Sequence, residues 1–143
     1  MFKTKSPKAL IEGVMISPMI KGGVETILGA KVDPVFGPVV MFGLGGIYTE
    51  VLKDISFAEA PLNQKLAKKM ISRLKSAKMF EGARDLKLNL DHLLDNIVKL
   101  SEFIYLYKDV VKEVEMNPLV IKEDMVIGLD ALIIPNEEGE KNA

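Results

Sequence analysis

The 143-residue sequence has no cysteine, no tryptophan and a single histidine. It also has almost no charge imbalance, with 19 Lys and Arg against 20 Asp and Glu leaving a net −1. Each shortage excludes something. Without cysteine there is no disulfide framework, thiolate metal site or cysteine nucleophile, a composition that fits an intracellular protein. Balanced charge supplies no overall field for nucleic acid or an anionic membrane, so any anion site must be local. The one histidine, His92, falls in the first turn of a predicted helix, far along the chain from the glycine clusters. A solvent-facing role is expected there rather than a covalent phosphohistidine or a Ser/His/Asp relay. Long apolar runs are also missing. Lys53, Asp54, Lys122 and Asp130 interrupt them short of the roughly 20 residues a membrane span needs, and no signal-peptide core follows Lys3, Lys5 and Lys8. The expectation is a soluble cytoplasmic protein with no nucleic-acid or membrane partner.

What is present is 48% hydrophobic residues, enough for the core of one domain. The reading is an N-terminal tail over 1–12, one domain over 13–134 and a polar tail over 135–143. From Gly13 to Phe57 the chain is rich in Val, Ile, Phe and Met and is cut by Gly22-Gly23, Asp33-Pro34, Gly37-Pro38 and Gly43 to Gly46. This is strand and turn grammar. Asn63 is positioned to cap a helix with Leu66, Ala67, Met70, Ile71 and Leu74 on one stripe. A second helix starts at Asn89, with Leu90, Leu93, Leu94, Ile97, Val98, Leu100 and Ile104 inward, and strands resume at Val110. Strands, two helices and strands again predict an α+β fold, an antiparallel sheet covered by two helices and ending in a β-hairpin.

The densest chemistry lies in EVEMNPLVIKEDMVIGLDALI, from Glu113 to Ile133. A two-residue turn at Glu123-Asp124 puts Asn117 directly opposite Asp130, and Glu115 on the same face. Paired residues of an antiparallel ladder have Cβ atoms roughly 4.5 to 5.5 Å apart, close enough for two oxygen ligands to share one small cation. Three oxygen-bearing side chains converging beside apolar strands suit a hard cation such as Mg²⁺ bridging to phosphate. Carboxylates at solvated strand ends are the competing reading. The glycines Gly43, Gly45 and Gly46 in GPVVMFGLGGIYTEVLKDISF allow backbone amides to approach a phosphate, but a hairpin turn uses the same glycines and is favoured on spacing alone. Glu50, Lys53 and Asp54 follow, either orienting phosphates or forming the outward side of a strand. Lys21 and Glu25 flank the Gly22-Gly23 turn. Tyr105 and Tyr107, next to Phe103, read as helix packing.

Taken together, GGVETILGAKVDPVFGPVVMFGLGGIYTEVLKDISF, the APL before a helix, EVEMNPLVI and GLDALI resemble the ATP-grasp domain of the ADP-forming acetyl-CoA and acyl-CoA synthetases, relatives of the succinyl-CoA synthetase β subunit. The resemblance runs from Gly13 to Leu132. It implies the large, C-terminal lobe of an ATP-grasp domain, with ATP or ADP and Mg²⁺ as cofactors. By resemblance Asn117 and Asp130 match the metal-holding positions, with Glu115 adjacent. Gly43, Gly45 and Gly46 would lie beside the phosphates, Glu25 would belong to the nucleotide site, and Ile16, Ser17 and Met19 would match the hinge strand along which adenine stacks. The family interconverts acyl-CoA, ADP and phosphate with acid, CoA and ATP through a phosphohistidine relay. The smaller lobe's phosphate-binding lysine and its HK[ST]DxGG-like segment have no counterpart here, and Ser17-Pro18 stands where relatives often carry Gln-Glu. The resemblance therefore implies a protein partner bearing the first lobe and the CoA-binding domains, with a homo-oligomer also open. A non-catalytic remnant, or the ATP-grasp half of a protein acetyltransferase, is the alternative; no catalytic residue is assigned.

Overall fold

The computed structural model describes residues 10, 12–46, 53–82 and 87–136. Among the described residues six strands form one antiparallel sheet: β1 (Val24–Asp33), β2 (Gly37–Leu44), β3 (Ile55–Glu59), β4 (Val111–Ile121), β5 (Val126–Gly128) and β6 (Ala131–Pro135). The strand order is β3-β2-β1-β4, with β5 and β6 both paired to the outer side of β4. Between β3 and β4 the chain forms α1 (Gln64–Ser72), a short α2 (Ala77–Phe80) and α3 (Leu90–Leu106). This is the α+β arrangement expected from the order of elements. Strand β6 runs to Pro135, one residue into the stretch read as a polar tail, while most of both tails lies outside the described residues.

Local chemistry sets the element ends. The Asn63 side chain accepts the Leu66 N–H at 2.9 Å, and Asn89 accepts the His92 N–H at 3.1 Å, each satisfying a free donor at a helix start. His92 is exposed, as expected. At the β1–β2 hairpin Asp33 Oδ1 accepts the N–H groups of Val35 and Phe36 at 2.9 and 3.1 Å, and Gly37 takes φ +71°. The bonds from Val35 and then Phe36, helped by Lys31, outweigh desolvation and hold the Asp33 carboxyl below its ordinary 3.8.

The helices cover one face of the sheet. Leu28 and Ala30 of β1, Val40, Phe42 and Leu44 of β2, and Val114, Leu119 and Ile121 of β4 pack against Ala67, Met70 and Ile71 of α1 and Leu93, Leu94, Ile97, Leu100 and Ile104 of α3. Phe42 meets Phe80 of α2 edge to face, with ring centroids 5.6 Å apart. Each Val, Leu, Ile, Met or Phe among them contributes about 1.5–3 kcal/mol when fully buried. Ser101 is one of the buried polar residues: it accepts the Leu62 N–H at 2.9 Å and donates to Val98 O at 2.6 Å. One expected inward position turns out otherwise: Leu66 is 44% exposed at the rim of the α1 stripe. Tyr107 packs its ring on Phe103, with centroids 4.9 Å apart, while Tyr105 is partly exposed with Lys108 Nζ over its ring. Among the described residues no helix is long and apolar enough to cross a membrane.

Candidate functional site

The opposite face of the sheet carries no helix among the described residues. By strand alternation it presents Glu25, Ile27, Gly29 and Lys31 from β1, Val39 and Met41 from β2, Phe57 from β3, Glu113 and Glu115 from β4, and Leu132 from β6. A shallow hollow of about 230 Å³ on this face is lined by Gly29, Lys31, Met41, Phe57, Glu113 and Glu115.

At the edge of this face the C-terminal hairpin adopts the register expected from a turn at Glu123-Asp124, closed by the Lys122 N–H on Met125 O at 2.8 Å. Leu119 pairs with Gly128 and Met116 with Ala131, and between them Asn117 N–H donates to Asp130 O at 3.2 Å. Asn117 Nδ2 donates to Glu115 Oε1 at 3.1 Å, and Asp130 Oδ1 accepts the Ala131 N–H at 2.9 Å. The sequence pattern did not reveal a bulge. Thr26 pairs with Leu119 but Leu28 with Met116, so Asn117 and Pro118 together oppose the single residue Ile27. A bulge of this kind re-aims side chains, and here it reverses which residues of β4 face the core: Val114 and Met116 before it, Leu119 and Ile121 after it. The Asn117–Pro118 peptide is cis. Among the described residues no three His, Cys, Asp or Glu side chains gather as a ready-made metal cage. The candidate donors are one amide, Asn117, and two carboxylates, Glu115 and Asp130.

The glycine run divides into two parts. Gly43 is a ladder residue of β2 paired with Ile27 and Ile55. A Cβ there would stand 2.5 Å from Asp54 O and 2.7 Å from the Ile55 side chain, so its bareness lets β3 approach. The loop proper begins at Gly45, whose N–H donates to Glu25 O at 2.9 Å; Gly46 has φ +65°, and its Cβ position lies 3.4 Å from Glu25 Oε2. Glu25, Gly45 and Gly46 thus come together, lining a cavity of about 750 Å³ with Gly23, Asp54 and Lys75. Residues 47–52, including Glu50, lie outside the described residues, and β3 begins at Ile55.

Asp54 corrects the reading of that stretch, because it is neither an outward strand residue nor turned to solvent. It is 3% exposed and accepts the N–H groups of Lys75 and Ser76 at 2.7 and 2.8 Å, tying the end of the glycine segment to the helix layer. Burial pushes its carboxyl up, but the bonds from Ser76 and Lys75 and the Lys75 charge outweigh that and bring it below 3.8.

The expected hinge strand is a second correction. Ile16, Ser17 and Met19 form no strand, and Ile16 and Met19 are 93% and 82% exposed. Strand geometry needs a ladder partner, and among the described residues 12–20 have none. Lys31 and Glu113, paired across β1 and β4 on the open face, were not singled out as site residues. Lys31 also lies 3.7 Å from Asp33 Oδ2. Their signal was the strand alternation itself, which puts Lys31 on the face of Gly29 and Glu113 on the face of Glu115.

An open sheet face edged by a glycine loop and an Asn/Asp hairpin pair is matched by the profile of the ATP-grasp domain over residues 1–134. The chain belongs to the ATP-grasp family. This ATP-grasp chain is 40% identical over 131 residues to the acetate–CoA ligase [ADP-forming] II subunit beta of Pyrococcus furiosus, covering 90% of this chain and 56% of that one. It is 44% identical over 122 residues to the 4-hydroxybutyrate–CoA ligase [ADP-forming] of Nitrosopumilus maritimus, covering 85% of this chain and 17% of the relative. Among solved structures, PH1788 from Pyrococcus horikoshii superposes with a TM-score of 0.81 at 38% identity, covering 94% of this chain and 58% of that one. The dinucleotide-forming acetyl-coenzyme A synthetase 1 of Ca. Korarchaeum cryptofilum, solved with coenzyme A and Mg-AMPPCP, superposes at 0.75 with 34% identity, covering 82% and 55%. The chain spans little more than half of the β-subunit relatives, and less than a fifth of the 4-hydroxybutyrate enzyme, so it corresponds to part of an ATP-grasp domain.

Proposed function

We propose that this chain is the nucleotide- and Mg²⁺-binding lobe of an ADP-forming acyl-CoA synthetase, joining an acid to CoA with cleavage of ATP to ADP and phosphate, or the reverse. The observation that carries this reading is the hairpin pairing of Asn117 with Asp130, with Glu115 hydrogen-bonded to Asn117, at the edge of an open face. With Nδ2 turned to Glu115, Asn117 Oδ1 is left to face a cation, and Asp130 supplies the anionic partner. Two or three protein oxygens are what Mg²⁺ takes when phosphates and water fill its remaining positions. The bound metal would neutralise charge on the phosphates during transfer.

The chain's own residues do the positioning that phosphoryl transfer chiefly requires. Gly45 and Gly46 let the backbone come close to phosphate oxygens, with Glu25 lining the same cavity. Lys31 brings a cation to the open face. Ile16, Ser17 and Met19 stand exposed, available to an adenine ring once the first lobe covers them. One lobe covers one side of a nucleotide, so tight binding and turnover need the complementary lobe, from a partner protein or from sequence beyond these residues, together with CoA-binding domains. A reaction using ATP and CoA fits the cytoplasmic location that this reading proposes.

Calorimetric titration of Mg-ADP tests this, on the chain alone and with the first lobe of a β-subunit relative added. Weak binding alone and at least tenfold tighter binding with the added lobe are expected; no binding in either mixture removes the enzyme reading and leaves a non-catalytic remnant.

A further inference from the structure

Thr26 is the only polar side chain of β1 with no solvent exposure, on the face where Leu28 and Ala30 enter the core. A valine would fill the same space, so the hydroxyl requires an explanation, since a polar group is costly to bury unless it is bonded. Its bond is specific. Thr26 Oγ1 donates to Leu119 O at 2.7 Å, across 93 residues of sequence. Leu119 is the first residue after the bulge formed by Asn117 and Pro118, and Thr26 is the β1 residue at which the register shifts.

The same residue borders the glycine loop. Gly45 N–H donates to the carbonyl of Glu25, and a Cβ on Gly45 would lie 3.0 Å from Thr26 N. The loop and the bulge thus rest on the two sides of one residue. A β-bulge leaves its strand locally short of ladder contacts, and a fixed bond just beyond it limits how far the extra residue can slide. We infer that Thr26 is a positioning residue: its hydroxyl pins the β4 bulge, and the pinned bulge aims Asn117 at Glu115 and Asp130. Its relevance to a cation rests on the reading under Proposed function; the orientation of Asn117 does not.

The test compares Thr26→Val, which keeps the shape and removes the donor, with Thr26→Ser, which keeps the donor. Without metal, the Asn117 side-chain amide resonances report its bond to Glu115. They should move toward the position of a free amide in Thr26→Val and stay near wild type in Thr26→Ser. In Mn²⁺ titrations followed by water relaxation, Thr26→Val should bind about tenfold more weakly and Thr26→Ser within about twofold, the range typical of groups that orient a ligand. Unchanged Asn117 resonances in Thr26→Val overturn the inference, whatever the affinity. If Thr26→Val does not fold, Thr26→Cys takes its place, with intermediate shifts supporting the inference and wild-type resonances overturning it. Asn117→Ala in the same titration separates the two readings: unchanged Mn²⁺ affinity there sinks the metal assignment, while the amide resonances still judge Thr26.

Discussion

The two faces of the sheet are made by the same strands under opposite demands. On the covered face Leu28, Val40 and Phe42 are fully buried against α1 and α3. On the open face the neighbouring residues are Gly29, Lys31, Met41 and Glu115, lining a hollow instead of a core. Alternation along a strand makes such a division possible because adjacent side chains point to opposite sides. The difference teaches that stability here comes largely from even-numbered positions of β1 and β2, and the candidate chemistry from odd-numbered ones, until the β4 bulge exchanges the parity on that strand.

Substitutions that hit one face and spare the other would sharpen this comparison. The largest effect is expected from Phe42→Ala on the covered face, which opens a cavity beside Phe80 and should cost about 3–5 kcal/mol in denaturant unfolding. Equal stability to wild type would break the division at its foundation. Asp54→Ala comes next. It leaves the N–H groups of Lys75 and Ser76 without their acceptor and should cost about 2 kcal/mol at neutral pH. Because the folded carboxyl titrates below its ordinary 3.8, the Asp54 contribution is present above that pH and is lost as pH falls through the folded value. The stability gap between Asp54→Ala and wild type should therefore narrow in acid, and a gap that widens below pH 4 would refute the assignment.

Gly45→Ala lies where the faces meet. Its Cβ would press on the Glu25 and Thr26 backbone at about 3.0 Å, and overpacking of that kind costs roughly 1–3 kcal/mol; a weaker Mg-ADP affinity should accompany the thermal shift. Asn117→Ala, on the exposed hairpin, should change stability by no more than about 0.5 kcal/mol while lowering Mg-ADP affinity at least tenfold. A large stability loss with intact affinity would move Asn117 from the open-face chemistry to the scaffold. The smallest effect is expected for His92→Ala, exposed on α3, with unfolding midpoint and nucleotide binding both unchanged within error.

Much was legible in the residues because it depends on local spacing. The stripes of α1 and α3, their Asn63 and Asn89 caps, and the turn at Glu123-Asp124 follow from periods of 3.6 and 2 and from capping chemistry, and counting from that turn paired Asn117 with Asp130. What the sequence pattern misjudged depends on partners distant in the chain. Asp54 was ambiguous until Lys75 and Ser76 came round to meet it. Ile16 to Met19 have strand composition but no ladder partner among the described residues. The bulge at Asn117-Pro118 exists only relative to β1, because a register shift is a property of two strands and no single segment encodes it. Sequence alone therefore determined the two long helices with their caps and which hairpin residues face one another. Tertiary structure decided which face stays open and how the bulge turns Asn117, since both depend on contacts such as Thr26 with Leu119 that span most of the chain.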